Sequence, residues 1–372
     1  MKILDLRPWT VRFMTNRWQS VPKGRQEPAY GNRNQGLGPR LMGRIVDRLM
    51  LPRLASRSIP TGSPWLVSVG NLALGGTGKT PVVMALAQEL ARRGLKGAVL
   101  TRGFGSPLKG PLEVIASNQN AGDEARLMAQ RLEGSRWPVM QSRDRLAGLS
   151  ELGRQRSDLD LIVIEDGHQT ARLGRHLDIL ILDRWEILTE GSRETVRAGS
   201  GPLFPFGPWR ETTTGAGRAA LWILETKADL PPAGEGGTAV TGFSRTLHLT
   251  DPRAPEKPAR VAGSWAVLSG IARPEAFERH SADLTGTPPV LAVRCGDHAQ
   301  YGPRLVARIA AEATAAGASC LITTAKDWIK IQAHWRVGPP VLVAELEINW
   351  EGNTATLPDL VEERYAAYKA SL

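Results

Sequence analysis

The chain has 372 residues, of which 42% are hydrophobic and 23% charged, and its formal net charge is +10. This composition excludes wholesale disorder and predicts a globular protein long enough for two domains. Two cysteines, Cys295 and Cys320, exclude a disulfide scaffold and favour a reducing compartment. No apolar run approaches the ~20 residues that span a bilayer, and Asp5 and Arg7 interrupt the N-terminus too early for a signal peptide. We therefore expect a cytoplasmic protein.

Most of the positive charge lies in residues 1–60, where twelve basic residues face three acidic ones. Within this arm, apolar residues recur at helical spacing opposite Arg40, Arg44 and Arg48: Leu41, Met42, Ile45, Val46, Leu49, Met50 and Leu54. An apolar face beside a basic face is typical of a helix that lies in a bilayer interface. The alternative is that the stripe packs on the rest of the protein. No recognised nucleic-acid module accompanies the arm, so we expect no nucleic-acid partner.

A glycine-rich segment follows the apolar run 65–69 and precedes a helical pattern over 81–93. The order of strand, glycine-rich turn and helix N-terminus is typical of a phosphate cradle, in which Lys79 meets the β- and γ-phosphates and Thr80 can ligate Mg²⁺. The generic pattern has Gly where this chain has Ala73. The predicted nucleotide-binding residues are Gly75, Gly76, Thr77, Gly78, Lys79 and Thr80. The segment predicts a protein that binds a nucleoside triphosphate.

Strand and helix patterns alternate from Trp65 to about Asp183 and again from about Trp265. Such alternation predicts α/β architecture with mostly parallel strands and helices on both faces. Between the two regions, residues 190–218 read as loop, and the Pro- and Gly-punctuated residues 231–263 read as a hinge. We predict a basic arm with an amphipathic helix over 1–60, a P-loop NTPase-like domain over 61–235, and a hinge with a smaller α/β domain over 236–372.

Two acidic residues stand where a P-loop enzyme carries its magnesium-binding carboxylate. Glu165 and Asp166 follow the apolar run 161–164, and ligands bind beyond the carboxyl ends of parallel strands. Two acids after a buried strand can also cap the next element. Both interpretations stay open from the spacing alone.

Four further residues are candidates from their positions. Asp123 opens a helix, where capping explains an acid equally well. His298 follows a strand of the second region, and a lone histidine is more often structural than catalytic. Arg210 and Glu211 lie in a long loop of the kind that forms functional lids.

Eight short segments between about residues 57 and 330 form one ordered pattern: 69–81, 102–105, 122–124, 165–169, 207–211, 270–274, 297–298 and 323–327. Together they resemble the tetraacyldisaccharide 4′-kinase family, the lipid A 4′-kinases of Gram-negative bacteria. The resemblance implies transfer of phosphate from ATP, with Mg²⁺, to the 4′-hydroxyl of a lipid-linked glucosamine disaccharide. It also implies a peripheral protein at the cytoplasmic face of the inner membrane, which gives the basic amphipathic arm a purpose.

The resemblance implies roles for individual residues. Lys79 and Arg210 would neutralise the charge that develops on the γ-phosphoryl group, and Asp123 would accept the hydroxyl proton with His298 hydrogen-bonded to it. The predicted magnesium ligands are Thr80, Glu165, Asp166 and Glu211.

The chain departs from the family at the first acidic motif, usually Asp-Asp-Gly-Phe-Gln-His, which here reads Glu165-Asp166-Gly167-His168-Gln169-Thr170. Glutamate is longer by one methylene, so the geometry around Mg²⁺ must readjust.

Two rival functions remain open. One is a partitioning or metallochaperone-type P-loop ATPase, although that class typically has Lys where this chain has Leu74. The other is a non-catalytic relative that binds nucleotide or lipid.

Overall fold

The computed structural model describes residues 1–7, 45, 46, 48, 57–74, 78–199, 201–226, 230–231, 233–352 and 355–372, without the side chains of 255–257. Gly75, Gly76 and Thr77 of the phosphate loop lie outside the described residues. So does most of the predicted arm helix, of which Ile45, Val46 and Arg48 are described and are helical.

The elements alternate along the chain as the sequence pattern predicts. The strands are β1 (Lys2–Asp5), β2 (Trp65–Asn71), β3 (Gly97–Thr101), β4 (Leu112–Glu113), β5 (Val139–Gln141), β6 (Leu161–Glu165), β7 (Leu177–Leu182), β8 (Trp185–Glu190), β9 (Arg193–Ala198), β10 (Leu221–Glu225), β11 (Ala239–Asp251), β12 (Ala254–Pro258), β13 (Trp265–Ser269), β14 (Leu291–Arg294), β15 (Cys320–Thr324) and β16 (Val341–Glu351). The helices are α1 (Lys79–Arg92), α2 (Asp123–Arg131), α3 (Arg145–Gln155), α4 (Pro274–Thr285), α5 (Pro303–Ala315), α6 (Ala325–Ile331) and α7 (Leu357–Ala370).

One mostly parallel sheet runs through the molecule in the order β1-β14-β13-β15-β16-β11-β10-β7-β2-β6-β3-β5-β4, while β8 and β9 form a separate hairpin. The central strand β2 is buried along its whole length, as expected for a parallel strand covered on both faces. Helix α1 covers it with a stripe that includes Val82, Leu86 and Leu90. Burying each such side chain stabilises the fold by about 1.5–3 kcal/mol. The predicted α/β class is confirmed.

Strands β11 and β16 join the two halves of the sheet and reverse its polarity. The first part of β11 is parallel to β10, and its later part is antiparallel to β16, with Leu247 opposite Leu346. Strand β16 is in turn parallel to β15. Because β16 runs back toward the first half, the carboxyl ends of the parallel strands in the two halves point toward each other. The ligand-binding edges of both halves therefore meet at one cleft.

The N-terminal strand joins the second half of the sheet, and the C-terminal helix packs on the first half. Strand β1 pairs with β14 at the outer edge of the second half. Helix α7 places Leu357, Val361 and Tyr365 in the same core cluster as Trp65 of the first half. Neither contact follows from the sequence pattern, because strand pairing partners are not encoded locally. The predicted boundaries at 60/61 and 235/236 stay a prediction.

Two predictions of irregular structure are wrong in part. Residues 190–218 begin with the end of the β8–β9 hairpin and finish in a 3₁₀ helix, Thr213–Arg218. Residues 231–263 contain β11, a strand of 13 residues. Flanking Gly and Pro residues suggested a linker, but the alternating and β-branched residues between them pair on both sides within the sheet.

Candidate active site

The phosphate loop leads directly into α1. Gly78 precedes this helix with φ 82°, a left-handed conformation that glycine adopts without strain. The guanidinium of Arg245, from the joining strand β11, lies where a Cβ on Gly78 would be. Lys79 and Thr80 occupy the first turn of α1, at the positive end of the helix dipole.

Two predicted cations meet on one carboxylate. Lys79 Nζ donates to Asn71 Oδ1 at 2.8 Å and lies 3.6 Å from Asp166 Oδ1. Arg210 Nη1 lies 3.0 Å from both carboxylate oxygens of Asp166. Burial alone would raise the pKa of Asp166, but the charges of Lys79 and Arg210 outweigh it and hold that pKa below its ordinary value. The structure therefore brings Lys79, Asp166 and Arg210 together.

Glu165 ends β6 and is buried beneath this group. Its carboxylate accepts hydrogen bonds from Thr80 Oγ1 at 2.8 Å and from Thr101 Oγ1 at 2.5 Å. Burial, followed by the charge of Glu124, raises the pKa of Glu165. A cation bound at these oxygens would oppose both effects.

The oxygen donors of Thr80, Glu165 and Asp166 fit magnesium. In phosphate-transferring sites Mg²⁺ is held by one or two carboxylates, with substrate phosphates and water completing the octahedron. Among the described residues, no three or more His, Cys, Asp and Glu side chains form a self-contained metal cage. A site that leaves coordination positions for a nucleotide matches that finding.

Glu211 does not join these donors. The residue is 2% exposed, and its carboxylate accepts a hydrogen bond from Arg218 Nη2 at 2.5 Å. The adjacent Arg210 lines the cleft, whereas Glu211 is turned into the core. Glu211 is therefore not placed to ligate a magnesium ion in the cleft, contrary to the prediction.

His168, where the family usually has Phe, is a fully buried histidine with polar partners. Its Nδ1 lies 3.0 Å from Asp178 Oδ2, and its Nε2 lies 2.9 Å from the carbonyl oxygen of Gly215. Arg175 and Arg57 both donate to the His168 carbonyl. Burial alone would raise the pKa of Asp178, but His168 and Arg175 outweigh it and lower that pKa. The change of residue type is thus compensated within the core, away from the cleft.

The residues of the second predicted group lie together across the cleft, at ion-pair distance rather than in the predicted hydrogen bond between Asp123 and His298. Asp123, at the start of α2, has its Oδ2 3.5 Å from His298 Nδ1 and 3.3 Å from Lys330 Nζ. Burial alone would raise the pKa of Asp123, but His298 and Lys330 outweigh it and lower that pKa. His298 has φ 59°, an uncommon value outside glycine, and its ring packs on Phe104 with 4.7 Å between ring centroids. These features together fix the imidazole beside Asp123.

Sequence reasoning missed two lysines and one aspartate near these groups. Lys330, on α6, contacts Asp123, and Lys326 Nζ lies 2.9 Å from Asp297 Oδ1. Lys326 belongs to the segment 323–327, whose resemblance to the family was the available signal. Asp183 follows β7, beside β2, and burial raises its pKa to about 6 despite the charge of Lys79. Its place after an apolar strand was the signal for this residue.

Comparison with known proteins identifies the family of the chain. The family profile of Tetraacyldisaccharide-1-P 4′-kinase (LpxK) matches residues 47–365. The tetraacyldisaccharide 4′-kinase of Phenylobacterium zucineum is 35% identical over 76% of this chain and 80% of the relative. That of Geobacter sulfurreducens is 34% identical over 76% and 79%, respectively.

Among solved structures, LpxK from Aquifex aeolicus in complex with ATP is similar in fold. Its TM-score is 0.64 at 23% identity, covering 87% of this chain and 98% of that one. The extent of the profile match and the identity to the curated relatives lead to one conclusion: the chain belongs to the tetraacyldisaccharide 4′-kinase family.

Proposed function

We propose that this protein transfers the γ-phosphoryl group of ATP to the 4′-hydroxyl of a tetraacylated glucosamine disaccharide 1-phosphate, as the family description indicates. The observation that carries the proposal is the placement of two charged groups in one cleft. Lys79, Asp166 and Arg210 come from the first half, and Asp123 joins His298 and Lys330 from the second.

Phosphoryl transfer requires positioned reactants and neutralised charge more than covalent chemistry. Lys79 and Arg210 would bind the β- and γ-phosphate oxygens, since Asp166 holds both cations in place. Thr80, Glu165 and Asp166 would hold Mg²⁺, which when bound neutralises charge between the β- and γ-phosphates. Because the acceptor hydroxyl attacks the γ-phosphorus directly, the mechanism requires no nucleophilic side chain of the enzyme.

Asp123 would accept the proton of the 4′-hydroxyl as its oxygen attacks the γ-phosphorus. Its lowered pKa keeps it ionised at neutral pH, so it is available as an acceptor. His298 and Lys330 would orient the carboxylate and stabilise its charge until the hydroxyl arrives. A partitioning ATPase has no use for this group, and the family match also disfavours it.

Removal of Asp123 and His298 should show that they act as a unit. Asp123→Ala and His298→Ala should each lower kcat by roughly 100-fold or more, as for general-base groups. In the double variant, kcat should fall by clearly less than the product of the two single fold-losses, because neither residue contributes to catalysis without the other. Steady-state kinetics of all four proteins measure the coupling, and fully multiplicative losses would mean that the two residues act independently.

Lys330→Met should move the pH dependence of kcat/KM. Without the ammonium group one of the charges that lower the pKa of Asp123 is lost, so that pKa rises and the acid limb of the profile should shift to higher pH. The wild type should therefore keep its activity to a lower pH than Lys330→Met, and the direction of this difference is the measured result. Lys369→Met, at a distant lysine over Tyr365, is the control. Superimposable profiles for Lys330→Met and the wild type would contradict the proposed base.

The magnesium assignment predicts that substitutions at two carboxylates change the Mg²⁺ requirement of the enzyme to different extents. Glu165→Gln keeps the size of the side chain but weakens cation binding, so the Mg²⁺ concentration for half-maximal rate should rise roughly tenfold. Glu211→Gln should leave that concentration unchanged, since Glu211 pairs with Arg218. Magnesium titrations at saturating ATP measure both. If both variants needed the same Mg²⁺ concentration for half-maximal rate, the distinction between Glu165 as a ligand and Glu211 as a non-ligand would be wrong.

The N-terminal arm is part of the same proposal. We infer that its amphipathic helix binds the inner membrane at the cytoplasmic face, where an acylated substrate is presented. Among the described helices, none is long and apolar enough to cross a bilayer. Val46 packs on a core cluster that contains Leu72 and Trp209, so part of the stripe contacts the protein, but Ile45 is 43% exposed. Three basic residues of the arm serve the fold: Lys2 pairs with Glu312, Arg7 with Asp5, and Arg57 with the His168 carbonyl.

Ile45→Glu with Arg48→Glu should test the membrane contact. Both side chains are exposed, so the melting temperature should change little, while sedimentation with anionic phospholipid vesicles should fall at least several-fold. Val337→Glu, at a residue 80% exposed on the second half, is the control for an added surface carboxylate. Unchanged sedimentation of the Ile45/Arg48 variant would place the membrane contact elsewhere.

A further inference from the structure

The cleft between the two halves is larger than one nucleotide requires. Its volume is about 2330 Å³, whereas pockets for small ligands usually enclose roughly 300–1,000 Å³. Lys79, Thr80 and Arg210 lie on its first-half side, and Arg273 and His298 lie on its second-half side. The cleft therefore has room for the acceptor beside ATP, with the second half as one of its walls.

Among the residues that the structure describes, none pairs with the cation of Arg273 in this wall. Its side chain is partly buried, and it has no ion pair or hydrogen bond to the residues that the structure describes. Burial lowers its pKa, and no carboxylate among the described residues offsets that effect. Arg294, on the same half, instead bonds to Glu275 and Glu278. A partly buried guanidinium without an anion is costly, so Arg273 indicates an anionic ligand.

The position of Arg273 suggests which ligand this is. It follows β13, which lies between β14 and β15 in the sheet. His298 follows β14 and Lys326 follows β15, so all three residues lie at the same carboxyl edge. The nucleotide-binding Lys79 and Thr80 belong to the opposite half. A ligand whose reacting hydroxyl lies at Asp123 and His298 thus extends along the edge that carries Arg273.

We propose that Arg273 binds the phosphate monoester that the acceptor already carries at position 1, and so selects phosphorylated over unphosphorylated disaccharides. The assignment rests on the proposed kinase function, whose family description names a 1-phosphate. A guanidinium presents two parallel N–H donors that match two phosphate oxygens. An unphosphorylated disaccharide leaves the cation unpaired, which provides the discrimination.

The test compares two acceptors, a lipid-linked disaccharide with and without its 1-phosphate. The wild type should prefer the phosphorylated acceptor in kcat/KM by roughly tenfold to a hundredfold. Arg273→Ala should remove most of that preference by raising KM for the phosphorylated acceptor, while kcat/KM for the unphosphorylated one and KM for ATP stay unchanged. Arg273→Lys should restore part of the preference, since it keeps the charge without the fork. Arg279→Ala, which removes an exposed arginine of the same cleft, should keep the full preference.

Three outcomes overturn the assignment. A wild-type ratio near one does so without any variant, even if Arg273→Ala does not fold. An equal loss of activity toward both acceptors would make Arg273 a structural residue, and a raised KM for ATP would make it part of the nucleotide site. Failure of the kinase proposal looks different, because the wild type would then phosphorylate neither acceptor.

Discussion

The antiparallel pairing of β11 with β16 is the interaction on which the site depends. Each half of the sheet binds ligands at the carboxyl ends of its parallel strands. These two edges face each other because β16 returns along β11 and reverses the strand direction. If the second half had continued the direction of the first, Asp123 and His298 would lie at edges pointing the same way. The register of β11 and β16, with Leu247 opposite Leu346, therefore determines how far apart the two edges lie across the cleft.

The charged side chains on each side of this cleft form ion pairs, and substrates can bind between the two sides. On the first half, Asp166 holds Lys79 and Arg210 close together, which would cost Coulomb energy without the carboxylate between them. On the second side, Lys326 and Lys330 are balanced by Asp297 and Asp123. Side chains held in this way reorganise little when phosphate oxygens arrive, which favours electrostatic stabilisation of the transition state. Arg273 stands apart because no described carboxylate balances it.

Local sequence signals predicted the parts of the fold that depend on neighbouring residues. The run 65–69, the Gly-Lys-Thr at 78–80 and the acids after 161–164 specify strand, turn and helix N-terminus within a few residues. The pairing of β1 with β14 and the packing of α7 on the first half join residues hundreds of positions apart. No periodicity encodes such a choice of partner. Glu211 shows the same limit at the site, since its motif named the residue but not the side to which its carboxylate turns.

The altered acidic motif is better explained by a retained activity than by a lost one. The extra methylene of Glu165 is accommodated by two hydroxyl donors, Thr80 and Thr101, which keep the carboxylate at the end of β6. His168 in place of an apolar ring would be destabilising without partners, yet Asp178 and Gly215 satisfy both of its ring nitrogens. These compensations stabilise the fold in any case, and the set of Lys79, Asp166, Arg210 and Asp123 beside them is complete, as an active enzyme requires. The two altered residues Glu165 and His168 are therefore each held by polar partners, and the charged side chains around the motif stay in place.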